Sequence, residues 1–183
     1  MISDLQSRKL DRAFGHLDVD GDGTIEWEDW IELATRITAA FGQSPATPQG
    51  ARVVSAFEQL WQSLLSNLDL DGDRRISPQE WRAGMTSAFV TDRDGYLANF
   101  QPAAQAVFGL ADTDADGKLS KDEFARFQRA FHTPERDIEA AFERLDTDGS
   151  GTLSVSELVD AAEQFYRGAA AEAHGNWLYG PIA

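Results

Sequence analysis

An all-α fold of four helix-loop-helix units, set as two paired lobes in a compact globule with short β-bridges between paired loops, is predicted by three features of this 183-residue sequence. An acidic segment of twelve residues recurs four times, beginning at Asp18, Asp69, Asp112 and Asp146. Apolar residues at helical spacing precede every copy, and a second apolar stripe of the same period follows it. An internal repeat of this kind sets the architecture before any single residue is weighed.

Counting back one, four, five and eight places from the first aspartate gives Leu17, Phe14, Ala13 and Leu10 for the first copy and Leu68, Leu65, Leu64 and Trp61 for the second. The third gives Ala111, Phe108, Val107 and Ala104, and the fourth Leu145, Phe142, Ala141 and Ile138. All are apolar, as the inner face of an amphipathic entering helix requires. The exiting helices open on Trp30, Trp81, Phe124 and Leu158, and their stripes reach Ile37, Ala88, Phe131 and Phe165. Ser77-x-x-Glu80, Ser120-x-x-Glu123 and Ser154-x-x-Glu157 are capping boxes that mark three of these starts, with Pro78 where a first-turn proline is tolerated. Ile25, Ile76, Leu119 and Leu153, at place eight, are expected to pair between loops.

The hands therefore fall into residues 1–90 and 103–166. The run from Gly42 to Gly50, with Pro45 and Pro48, reads as a loop, and residues 91–102 read as an inter-lobe linker whose Gly95 and Pro102 argue against one continuous central helix. Residues 167–183 form a tail in which Trp177, Leu178, Tyr179 and Ile182 are too apolar for a disordered end. It is expected to plug an apolar cleft of the same chain, the alternative being a docking peptide for a partner.

Three carboxylates within six residues repel one another unless a cation neutralises them. A hard divalent ion does so by taking six to eight oxygens at about 2.3–2.6 Å for calcium. The candidate ligands are Asp18, Asp20, Asp22, Thr24 and Asp29; Asp69, Asp71, Asp73, Arg75 and Glu80; Asp112, Asp114, Asp116, Lys118 and Glu123; and Asp146, Asp148, Ser150, Thr152 and Glu157. Places one, three and five offer side-chain oxygens, place seven (Thr24, Arg75, Lys118 and Thr152) a backbone carbonyl, and place twelve closes the shell. One Asp-x-Asp-x-Asp-Gly alone also fits an ordinary polar turn; four copies with matching helical flanks do not. These loops resemble those of the EF-hand family.

Within that family the uneven spacing of the hands, the aromatic-rich helices and the ending Gly175-Asn-Trp-Leu-Tyr-Gly-Pro181 resemble the sarcoplasmic calcium-binding proteins and their calerythrin-like bacterial relatives. The resemblance implies a cytoplasmic, compact four-hand protein that buffers or transports calcium, often with one hand that fails to bind. Three departures matter. Arg74 stands where the turn favours Gly at place six, at a cost of about 1–2 kcal/mol for a left-handed β-carbon, so the second loop is expected to bind weakest. Asp29 is one methylene shorter than Glu, which lowers coordination toward six and makes the first loop the candidate for Mg2+ as well as Ca2+. Ser150 replaces an acid in the fourth loop. The third loop departs least.

Charge and composition exclude other classes. With 31 acidic against 16 basic residues the net charge is −15, which repels nucleic acid and anionic membranes. The acids at places one, three, five and twelve, four in each of the first three loops and three in the fourth, equal that whole charge. Four divalent ions would reduce it to −7. The absence of cysteine removes thiolate chemistry, and no stretch approaches the ~18 apolar residues of a membrane helix. The opening residues carry no apolar signal-peptide core, which fits a cytoplasmic protein. His16, His132 and His174 are scattered, so no catalytic residues are assigned; His16 and His132 are expected to be exposed or capping. A sensor that opens a Met-rich groove is the competing reading, but Met1 and Met85 are the only methionines. No protein partner is required, and a monomer is expected.

Overall fold

Where each helix begins follows from its cap. In the computed structural model, which describes residues 2–182, α1 (Asp4–Leu17) starts at Ser3, whose hydroxyl accepts the Gln6 N–H while the Gln6 side chain accepts the Ser3 N–H. The helix α2 (Trp27–Ala40) leaves the first loop. Thr47 caps α3 (Pro48–Leu68), with Pro48 in the first turn, where its missing N–H costs no helical bond. The loop expected through Gly50 therefore ends three residues earlier. The pair Ser77 and Glu80 caps α4 (Pro78–Gly84), which runs on as a π-helical turn over Met85–Val90. That turn is not visible in the sequence pattern.

The expected linker 91–102 is also shorter. Asp92 accepts the Gly95 N–H at 3.1 Å and starts α5 (Arg93–Ala111), so only Thr91 and Asp92 interrupt the helical path and Pro102 lies inside a helix. A third entering helix of 19 residues changes which face is buried. Tyr96, Phe100, Ala103 and Val107 run down one side at spacings of three and four, and Ala104 is exposed. Of the sixteen entering-stripe residues, Ala104 alone is exposed and Leu65 half-buried; the others are buried. The remaining helices are α6 (Lys121–Ala130), α7 (Glu135–Leu145) and α8 (Val155–Arg167), followed by a 3-10 turn at His174–Trp177.

The loops pair as expected. Ile25 and Ile76 exchange N–H···O bonds of 3.0 and 2.9 Å. In the second pair β1 (Lys118–Leu119) runs antiparallel to β2 (Leu153–Ser154), with Leu119 opposite Leu153. Helix α3 packs on α5, α2 on α6 and α1 on α8, so one apolar core runs through both lobes. A buried lysine ties them together. Lys9 Nζ donates to the carbonyls of Gln164 and Gly168, at 3.0 and 2.9 Å, satisfying the C-terminus of α8 with a cation. Arg93 adds a two-bond pair to Glu163. The tail lies against the body: Leu178 and Tyr179 are buried, Gln128 donates to the Leu178 carbonyl at 2.8 Å, and Arg12 donates to the carbonyls of Tyr179 and Pro181.

The expectation for His16 is corrected here. It sits between the rings of Phe131 and Tyr179, centroids 6.2 and 5.0 Å away, and its Nε2 is buried without a partner. The tail that covers it could not be placed from α1 alone. Burial, with Arg12 close by, lowers its pKa from 6.5 to about 4. A group depressed in the folded state favours folding fully above its unfolded pKa, and that contribution disappears as pH falls from 6.5 to about 4. The expected loss is on the order of 3 kcal/mol. Denaturant titrations at pH 7 and pH 4 should show a smaller difference for His16→Gln than for the unaltered protein; an equal difference would refute this role.

Candidate metal centre

Each acidic loop is folded by its own carboxylates. The place-one aspartate accepts the backbone N–H of place six in every loop: Asp18 from Gly23, Asp69 from Arg74, Asp112 from Gly117 and Asp146 from Gly151, over 2.8–3.1 Å. Place three accepts from place five, as Asp20 does from Asp22 and Asp71 from Asp73. Asp114 and Asp148 do the same with Asp116 and Ser150. Asp22, Asp73 and Asp116 then accept from the N–H of Thr24, Arg75 and Lys118. In the fourth loop Ser150 Oγ lies 3.0 Å from the Thr152 carbonyl, so its place-five and place-seven oxygens come together.

The place-twelve acid reaches back across the loop. Glu123 Oε1 accepts from the N–H and hydroxyl of Thr113, and Oε2 from the N–H and hydroxyl of Ser120. Glu157 repeats this with Thr147 and Ser154, and Glu80 with Leu70 and Ser77. Asp29, shorter, still accepts from Val19, Asp20 and Glu26 because it is drawn inward and buried. Burial raises the pKa of Glu123, but the hydrogen bonds from Thr113 and Ser120 outweigh it and hold the group at about 2. Glu80 and Glu157 are lowered by the same balance. All three are carboxylates at neutral pH.

Oxygens of Asp18, Asp20 and Asp22 converge within 4.8 Å of one another, as do those of Asp69, Asp71 and Asp73. In the third and fourth loops the converging trios are Asp112, Asp114 and Glu123, and Asp146, Asp148 and Glu157. Places five and twelve thus exchange membership between the lobes: Asp29 and Glu80 stand outside the first two trios, and Asp116 outside the third. The donors are oxygen throughout, and Asp18 Oδ1 is a buried acceptor with no hydrogen-bond partner. This chemistry fits a hard cation such as calcium or magnesium, and lacks the imidazole or thiolate that softer metals favour.

Arg74 adopts the left-handed conformation expected for place six, with φ 66°. Its neighbour Arg75 points away from its own loop and pairs with Glu26 of the first loop at 3.0 Å, linking the two hands. The sequence reading missed place four. Gly21, Gly72 and Gly149 are left-handed there, and Ala115 is forced into the same conformation at φ 59°. The signal was available, since three of the four loops carry Gly at that place. The third loop is therefore strained as well. Arg74→Gly and Ala115→Gly should each stabilise the protein by about 1 kcal/mol, read as a higher urea midpoint. No gain in either variant would contradict the strain.

The model described as EF hand matches residues 10–34 and 104–128, and the one described as EF-hand domain matches 137–168. These segments contain the first, third and fourth loops. Calerythrin from Saccharopolyspora erythraea is 27% identical, over 92% of this chain and 96% of its own. The sarcoplasmic calcium-binding proteins I, III and IV of Branchiostoma lanceolatum are 25% identical, over 98% of both. Among solved structures, a calcium-binding protein of Streptomyces coelicolor superposes with a TM-score of 0.81 at 32% identity, over 90% of this chain and 99% of that one.

Proposed function

The chain belongs to the EF-hand family of calcium-binding proteins, and on that footing we propose that it is a cytoplasmic calcium buffer. Asp18, Asp20, Asp22 and Asp29 hold the first ion, and Asp69, Asp71, Asp73 and Glu80 the second. Asp112, Asp114, Asp116 and Glu123 hold the third, and Asp146, Asp148, Ser150 and Glu157 the fourth. The carbonyls of Thr24, Arg75, Lys118 and Thr152 complete the sets. The first loop, closed by Asp29, accepts magnesium as well as calcium, and the Arg74 loop binds weakest.

The observation that carries the buffer reading is the burial of the apolar faces. Met85 is wholly buried, the helix stripes pack on one another, and Leu178 and Tyr179 already occupy the cleft between α1, α6 and α8. Among the described residues only Leu70, 73% exposed, and Val155 at the exposure limit are large apolar side chains in water. A sensor needs an adaptable apolar surface that calcium uncovers. Met1 lies outside the described residues.

A second reading rests on the Streptomyces coelicolor relative, described as acting in prokaryotic calcium-mediated regulation. In that reading calcium moves the tail and uncovers a partner surface. Binding of a hydrophobic dye with and without calcium separates the two. A buffer gives little change; a large calcium-induced rise in fluorescence would favour the regulator.

A further inference from the structure

The first loop departs from the repeat at place nine. Ser77, Ser120 and Ser154 hold that place in the other three loops, and each caps the helix that follows. The first loop carries Glu26 there. Place nine of such a loop often serves the ion through a water, so a carboxylate at this place adds a charge that the metal attracts. With Glu28 and the four ligand acids it brings the loop to six acids in twelve residues.

The pairing of the loops sets what Glu26 meets. Ile25 and Ile76 bridge in the antiparallel sense, which brings place seven of one loop opposite place nine of the other. In the second pair of loops that register sets Lys118 against Ser154, which has no charge. In the first pair it sets Arg75 against Glu26, and their side chains form an ion pair, Nη2 to Oε1 at 3.0 Å. The same Glu26 oxygen lies 3.3 Å from the Thr24 hydroxyl, which is 2.8 Å from Asp22 Oδ1. A guanidinium of the second hand therefore stands at the edge of the first hand's acid cluster, and its charge acts on Asp22 as well.

We propose that Arg75 of the second hand sets the calcium affinity of the first, by holding the Glu26 carboxylate in an ion pair that favours the empty loop. This inference rests on the reading that the first loop takes calcium. While the loop is empty, the guanidinium relieves repulsion among its acids. When an ion enters, the same charge repels it, and Glu26 is shared between two cations. Both effects act in one direction, so Arg75 weakens the first site. The pair is partly in water, which limits the effect to a few-fold in affinity. Exchanging the side chain keeps the Arg75 carbonyl that serves the second ion.

The test follows the backbone amides of isotope-labelled full-length protein by NMR across chelator-buffered calcium concentrations. The Gly23 N–H, bonded to Asp18, reports the first loop, and the Arg74 N–H, bonded to Asp69, reports the second. In Arg75→Gln the Gly23 resonance should complete half its shift at about three- to fivefold lower calcium than in the parent. A purely structural loss would weaken the first site and not tighten it. With Glu26→Gln already in place, adding Arg75→Gln should change the first site by less than about twofold. A gain confined to the Arg74 resonance overturns the proposal, as does an equal gain in the Glu26→Gln background. A parent Gly23 resonance that never responds to calcium overturns the calcium reading of that loop and this inference with it. A responding parent with an unchanged or weaker first site in Arg75→Gln overturns this inference alone.

Discussion

Replacing Glu123 by glutamine is expected to weaken calcium binding at the third loop by about 100-fold, as loss of one member of a hydrogen-bonded charge arrangement typically does. Glu123 is buried, and its two oxygens together accept four donors, from Thr113 and Ser120. A carboxylate can only accept, which is why it suits this position. An amide presents an NH2 group to one of the two donor pairs whichever way it turns. The substitution therefore also removes charge-assisted bonds that close the loop, each contributing about 1.5–3 kcal/mol. Calorimetry of Glu123→Gln should show one site fewer in the tight class, and chelator-treated variant should melt earlier than chelator-treated parent. A calcium isotherm unchanged from the parent would remove Glu123 from the ligand set.

Tyr179→Ala is expected to cost about 3–5 kcal/mol of stability, equivalent to roughly 10 °C in melting temperature for a chain of this size. The ring meets His16, Phe131 and Phe165 with centroids 5.0, 5.2 and 5.1 Å away. Losing it opens a void where α1, α6 and α8 converge, and exposes the unpartnered His16 nitrogen to water. Scanning calorimetry of the calcium-loaded variant measures the effect. A detachable docking peptide would behave differently, since its truncation should leave the melting temperature within a degree or two.

The elements that repeat were legible in the sequence, because each is dictated by residues close together in the chain. Ser120 and Glu123 form their capping box and Asp112 folds back on Gly117, as local spacing requires, and Leu119 meets Leu153 because the repeat sets both at place eight. Contacts between distant segments that the repeat does not relate were not legible. Nothing around His16 indicates that residues 163 positions later cover it, and nothing around Lys9 shows that it meets the end of α8. Gly95 and Pro102 lower the helix propensity of Arg93–Ala111, yet packing of Tyr96 and Phe100 overrides that local cost. Ala115 differs in kind: place four supplies neither a ligand oxygen nor a core side chain, so glycine in the other three copies is its one signal.

Whether the four loops store calcium is decided by calorimetric titration of calcium into chelator-stripped protein in millimolar magnesium. Three or four sites tighter than ~10⁻⁷ M are expected, with uptake slowed or weakened by magnesium and the Arg74 loop last to fill. Sites no tighter than ~10⁻⁶ M and indifferent to magnesium would contradict storage, because such a protein fills only when calcium rises.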